Sequence, residues 1–260
     1  MNSALRREYL AALGLGEWAV RGKPVPASQA ANTSPLVPRA PGESLASAPS
    51  TASATAGATA GATAGASVGP AAREAGVDWG ELRARVAACT RCSLSATRTQ
   101  TVFGVGNLRA EWLVVGEAPG AEEDRRGEPF VGRAGQLLNS MLRAVGLTRE
   151  QVYIANVLKC RPPGNRDPSL SEAAECLPYL EQQIALLKPK IMLAVGRIAA
   201  QNLLQTDKTL GSLRRQVHRF GISQVPLIVT YHPAYLLRTP ADKRKSWEDL
   251  KFARDVCSHV

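Results

Sequence analysis

Trp112-Leu113-Val114-Val115-Gly116-Glu117-Ala118-Pro119-Gly120 decides the fold of this chain. Its apolar part is too short for a helix and suits a strand buried on both faces. The run stops in glycine and proline, where the backbone must turn. Three more runs share this character, at Val152–Val157, Ile191–Val195 and Leu227–Thr230, and helical apolar spacing separates them at Gly135–Val145, Ser171–Leu187 and Ile198–Leu204. Buried strands alternating with helices predict a layered α/β domain on a mainly parallel sheet.

In such sheets ligands bind beyond the carboxyl ends of the strands, so the residues just after each run carry the chemistry. Here they are Gly116-Glu117-Ala118-Pro119-Gly120, Asn156 with Lys159, Gly196-Arg197 and Tyr231-His232-Pro233. Singly, each has a structural explanation: Glu117 as a turn cap, Asn156 satisfying nearby backbone, His232 as a turn residue before proline. Together they bring a carboxylate, an amide and an imidazole to one mouth.

Cysteines bracket this block: Cys89-Thr90-Arg91-Cys92, then Cys160 and Cys176. No secretory signal or transmembrane run is read here, so a reducing compartment and a shared inorganic ligand are expected rather than disulfides. Four thiolates serve zinc or a [4Fe–4S] cluster equally well, and spacing alone leaves both open. Cys257 reads as a free or buried thiol.

The 260 residues, 45% hydrophobic, can bury one domain-sized core. A net charge of +10 and a pI near 9.7 favour a polyanionic partner, nucleic acid ahead of a membrane surface. Residues 23–77 are dominated by Ala, Ser, Thr, Gly and Pro, with three copies of Ala-Thr-Ala-Gly between Ala54 and Gly65. Such a stretch cannot offset its ordering entropy and reads as a disordered linker. Residues 1–22 read as a short amphipathic docking peptide, leaving 78–260 as the folded domain.

From about Cys89 to Phe252 the chain strongly resembles the family 4 uracil-DNA glycosylases, the iron–sulfur branch of their superfamily. Carrying the likeness are Cys89-x-x-Cys92, Val102-Phe103-Gly104 with Gly106-Asn107, Gly116 to Gly120 followed by Glu123-Asp124, and Pro129-Phe130-Val131-Gly132 with Ala134-Gly135. Asn156-Val157-Leu158-Lys159-Cys160-Arg161-Pro162-Pro163, Asn165-Arg166 and His232-Pro233-Ala234-Tyr235-Leu236-Leu237-Arg238 complete it. The resemblance implies a three-layer α/β/α domain with a central four-stranded, mainly parallel sheet. It also implies a [4Fe–4S] cluster on Cys89, Cys92, Cys160 and Cys176, and hydrolytic removal of uracil from DNA.

By the same likeness Phe130 stacks on the flipped base, Asn156 reads the uracil edge, and His232 hydrogen-bonds uracil O2 as charge develops. Glu117 sits in the water-activating motif, and Glu123 near the wall that would exclude the 5-methyl of thymine. Other branches of the superfamily carry Asp or Asn after the Glu117 position; here it is Ala118, which leaves the partner of the water open. Leu236 or Leu237 is expected to wedge into the gap left by the flipped nucleotide, with Arg238, Lys243, Arg244 and Lys245 on phosphates. Because base hydrolysis moves no electrons, the cluster is expected to be structural.

Residues 6–21, Arg6-Arg7-Glu8-Tyr9 through Arg21, are similar to the N-terminal segment of the psi subunit of the bacterial DNA polymerase III clamp loader. That likeness implies docking on the replication machinery through Tyr9, Leu13 and Trp18, in a bacterial cytoplasm at the nucleoid. Three rivals stand beside the glycosylase reading. A covalent uracil-trapping relative would need a reactive histidine after the asparagine motif, and Arg161–Pro168 has none. The others are a noncatalytic DNA-polymerase-associated scaffold and a zinc-bearing nucleotide-binding module.

Overall fold

The computed structural model describes residues 78–260, all in one compact unit. The docking peptide at 1–22 and the linker at 23–77 lie outside the described residues.

Each predicted run is a strand: β2 (Trp112–Gly116), β3 (Tyr153–Asn156), β4 (Ile191–Val195) and β6 (Val225–Thr230), mutually parallel. The sheet has six strands rather than four, in the order β1-β3-β2-β4-β6-β5. The additions are β1 (Val105–Gly106) and β5 (His218–Phe220), each antiparallel to its neighbour at an edge. They are too short, and too rich in glycine and charge, to carry a periodic signal; short edge strands blunt the sheet against further pairing. Strand β6 also begins two residues earlier than expected, because Pro226 lies opposite Arg219 of the brief β5, where a missing N–H costs little.

Alternation along the strands sorts the core into two layers. Leu113, Val115, Tyr153, Ala155, Met192, Ala194, Leu227 and Val229 share one face with Leu82 and Val86 of α1 (Trp79–Ala87) and Leu180 and Ile184 of α4 (Leu170–Leu187). Trp112, Val114, Ile154, Ile191, Leu193 and Ile228 face Leu138 and Leu142 of α3 (Arg133–Ala144) and Leu250 of α8 (Lys243–Cys257). This is the expected α/β/α sandwich. Each fully buried Leu or Ile stabilises it by about 1.5–3 kcal/mol relative to exposure. Between these lie α2 (Ala121–Arg126), α5 (Arg197–Leu204), α6 (Leu210–Leu213) and α7 (Pro233–Arg238).

Local signals set the helix starts. Asp78 accepts from the Glu81 amide at 2.8 Å to cap α1. At α4, Ser169 and Glu172 form a reciprocal capping box, the pairing that an S-x-x-E sequence encodes. Among the described residues no helix is long and apolar enough to cross a membrane.

Candidate active site and cysteine recess

The parallel strands end together, and their last residues build the floor of the mouth. Gly116 closes β2 and Asn156 closes β3, paired side by side. A Cβ at position 116 would strike the Asn156 side-chain oxygen and lie 2.7 Å from the Phe130 ring. Glycine there lets amide and aromatic converge. Asn156 is 2% exposed, and its Oδ1 is buried without a hydrogen-bond partner. An unmade bond of that kind costs about 1–3 kcal/mol, so the atom is poised for a donor from outside.

Beneath Asn156 runs a buried polar strut. Lys159 Nζ donates to the Asn156 carbonyl at 2.8 Å and to Gln183 Oε1 at 2.7 Å, and Gln183 Nε2 donates to the Phe103 carbonyl at 2.9 Å. Burial pushes the Lys159 ammonium down to about 8 against the pull of Cys176 and Cys160. The strut fixes the backbone that presents the Asn156 amide.

His232 caps α7. The Ala234 amide donates to its Nδ1 at 3.1 Å, which leaves Nε2 to carry the hydrogen of the neutral ring. Burial, helped by Arg238 and opposed by Glu123, pushes its pKa down to about 4. Its ring lies 5.6 Å from that of Phe130. A Cβ on Gly196, at φ 103°, would sit 3.0 Å from the His232 Cβ, so β4 and β6 approach closely here only because position 196 is glycine.

Glu123 sits in the first turn of α2, and its Oε1 accepts from the Val131 and Gly132 amides at 3.0 and 3.3 Å. The next residue, Asp124, accepts from the Thr99 amide at 2.9 Å, tying α2 to the segment after Cys92. Glu117 is half-buried at the end of β2. Desolvation, reinforced by Asp167 and eased by Arg197, raises its pKa to about 7. Ala118 is partly buried and packs against the first core layer.

Helix α7 separates the two leucines. Leu236 is 1% exposed and packs in the core, whereas Leu237 is 37% exposed. Of the two, only Leu237 presents its side chain to solvent. Arg238 is exposed, Lys243 half-buried, and Arg244 and Lys245 exposed beside Glu248 at 3.6 Å and Asp242 at 2.8 Å. Phosphates would compete with these carboxylates. Tyr235 of α7 stacks on Tyr231 at 5.2 Å; behind Tyr231, whose ring Arg214 covers, Arg214 Nε and Nη2 fork onto buried Asp249 at 2.7 and 2.9 Å and Thr230 Oγ1 donates to Asp249 at 2.9 Å.

Cys89, Cys92, Cys160 and Cys176 are all free thiols and line one recess together with Arg91, Arg98, Lys159 and Tyr179. Among the described residues no three His, Cys, Asp or Glu side chains group closely enough to hold a single metal ion. The donor set fits a cluster. All four are sulfur, the Lys159 amide donates to Cys176 Sγ at 3.2 Å, and Arg98 Nη1 donates to Cys160 Sγ at 3.1 Å, contacts of the kind that tune Fe–S thiolates. Burial pushes the Cys176 thiol up to about 11, so at neutral pH an empty site keeps its proton and metal binding would expel it. Cys257 is buried and free, as expected.

Sequence reasoning missed the Lys159–Gln183 strut, Arg98 and Arg149, whose Nη2 donates to the Pro129 carbonyl at 2.5 Å. A lone basic residue gives no periodic or spacing signal. Lys159 was already marked beside Asn156 at the strand end; its partner Gln183, midway along a helix, was not.

Comparison with known proteins agrees with the geometry. Residues 103–251 match the family model described as the uracil DNA glycosylase superfamily. A type-4 uracil-DNA glycosylase of Archaeoglobus fulgidus is 45% identical over 179 residues, covering 66% of this chain and 89% of that protein. One from Thermotoga maritima is 42% identical over 172 residues, 65% of this chain and 90% of its own. A type-5 uracil-DNA glycosylase of Thermus thermophilus is 33% identical over 134 residues, 46% of this chain and 59% of that relative.

Proposed function

The chain belongs to the uracil-DNA glycosylase superfamily, in its type-4 branch, and we propose that the mouth formed by Glu117, Phe130, Asn156 and His232 is where it excises uracil from DNA. The observation that carries the reading is the buried, unpartnered Asn156 Oδ1. Uracil N3–H supplies the missing donor and its O4 accepts from the same amide; cytosine, with an unprotonated N3 and an amino group at C4, offends both.

In the reaction the extruded base stacks on Phe130 with its edge at Asn156. The C1′–N1 bond breaks with its electron pair going to the base, and charge collects on O2, where the neutral His232 Nε2–H donates. A preorganised donor of this kind is worth about 10²-fold or more in rate. The ionised Glu117 carboxylate stabilises the cationic sugar or orients the water, whose oxygen bonds to C1′ while its proton leaves to the carboxylate or solvent. The products are free uracil and an abasic site. Glu123, next to the Phe130 turn, forms the wall against a 5-methyl group, and Ala118 lines the floor. Leu237 fills the vacated stack and Arg238 meets phosphate.

The same proposal places a [4Fe–4S] cluster on Cys89, Cys92, Cys160 and Cys176. When bound, it supplies a cross-link between the chain segments that carry the pocket. Residues 78–260 form the catalytic domain, 23–77 a tether, and 1–22 a peptide that docks on the clamp loader of a bacterial cytoplasm through Tyr9, Leu13 and Trp18. A pull-down in which Trp18→Ala retains the same clamp-loader subunits would remove the docking step alone.

Product inhibition tests the pocket. Free uracil is expected to inhibit the wild-type protein far better than thymine, and Asn156→Ala to abolish the difference; equal inhibition of the wild type by the two bases would reject the site.

A further inference from the structure

Phe130 holds a backbone φ of 54°, in the left-handed region that bulky residues rarely enter. Such a conformation is strained and persists only where its surroundings impose it. Two side chains grip this turn from opposite ends. On the amide side, Glu123 accepts from Val131 and Gly132. On the carbonyl side, Arg149 Nη2 donates to the Pro129 carbonyl at 2.5 Å and Nη1 to the Phe130 carbonyl at 3.3 Å.

Arg149 comes from the turn between α3 and β3, outside every strand-end motif. Its guanidinium is partly desolvated, with Glu128, Glu150 and Glu123 nearby to support its charge. Gly135 completes the grip, since a Cβ there would collide with the Phe130 carbonyl. Phe130 in turn lies against Gly116 and 5.6 Å from His232. Rotation of the Phe130 peptide would therefore swing the ring out of the site where base, amide and imidazole meet.

We propose that Arg149 is a positioning residue for base excision, its forked grip on the Pro129 and Phe130 carbonyls holding the Phe130 ring at the base site. The proposal rests on the reading of the mouth as the uracil site. Lysine cannot substitute, because a single ammonium lacks the planar fork that spans two successive carbonyls. Misplacement of a reacting group by about 1 Å costs on the order of 10²-fold in rate. The loss should fall on kcat, since the hydrogen bonds of Arg149 go to the Pro129 and Phe130 carbonyls and not to α7 or the basic residues around Arg238.

The test is a double-mutant cycle on release from a single-uracil oligonucleotide, using Arg149→Met, Phe130→Ala and the pair, with Arg149→Lys and melting temperatures measured alongside. Arg149→Met is expected to lower kcat about tenfold or more while KM for DNA stays within about twofold. Added to Phe130→Ala, it is expected to cost less than about twofold more. Arg149→Lys, which keeps stem and charge, is expected to melt like the wild type and still lose most of the factor. Equal losses in both backgrounds, or full kcat in the lysine variant, would overturn the positioning role. An inactive wild type would instead reject the uracil reading itself.

Discussion

The Ala234 amide donates to His232 Nδ1 at 3.1 Å, and that bond settles which ring nitrogen carries the hydrogen of the neutral imidazole. A protonated imidazole would have to surrender the bond, because Nδ1 would then also be a donor. Burial acts in the same direction, holding the pKa near about 4. The ring is thus neutral at neutral pH, with its hydrogen on Nε2.

Nitrogen NMR of the ring is expected to show the Nε2–H tautomer and a titration near pH 4 rather than 6.5. The sign for stability follows: between those values the unfolded chain binds the proton and the folded one does not, so this residue makes stability fall as pH drops from about 6.5 to about 4. Titration of His232 at its ordinary value would remove the neutral-donor argument.

Glu117, not His232, should set the acid limb of activity. With its pKa at about 7, the ionised form is lost as pH falls through 7, and kcat/KM of the wild type should drop there while Glu117→Gln shows a low, flat profile. Stability runs the other way. The folded state holds a proton that the unfolded state releases near 4.5, so stability declines as pH rises from about 4.5 to about 7, and Glu117→Gln should melt above the wild type at pH 8. An acid limb that survives Glu117→Gln unchanged would assign it elsewhere.

The four parallel strands and the residues after them were legible because each is a contiguous apolar run, three of them followed within three residues by glycine or proline. The three-layer sandwich followed. Two edge strands were not, since Val105–Gly106 and His218–Phe220 exist only through pairing with β3 and β6. Leu236 and Leu237 looked equivalent in sequence; they lie on different faces of α7, and only packing against the second core layer decides which one is buried. Arg149 was invisible for a related reason. Its partners are backbone carbonyls about twenty residues away, and carbonyls leave no trace in residue identity.

The leucines therefore separate by experiment. Leu236→Ala is expected to cost about 2–5 kcal/mol of stability as a core truncation, with a lower melting temperature. Leu237→Ala should melt like the wild type and lose more activity on duplex than on single-stranded substrate, where no stack has to be refilled. Equal losses on both substrates would take the wedge role from Leu237.

Removing one of the four recess cysteines, the proposed cluster ligands, should reach the pocket through the chain. The Lys159 amide touches Cys176 and its ammonium holds the Asn156 carbonyl, so Cys92→Ser is expected to lack the brown chromophore, melt lower and lose uracil binding. A stable, iron-free Cys92→Ser protein with full activity would refute the structural role of the cluster. Absence of a broad band near roughly 400 nm in anaerobically purified wild type would favour zinc.

The most direct measurement is release from a labelled single-uracil oligonucleotide by anaerobically purified full-length protein, beside a thymine control and the His232→Ala variant. The structure predicts release of uracil and not thymine, reduced about a hundred-fold or more by His232→Ala. Iron-replete protein that binds uracil-containing DNA and releases nothing would contradict the account and return the mouth to a binding or scaffold role.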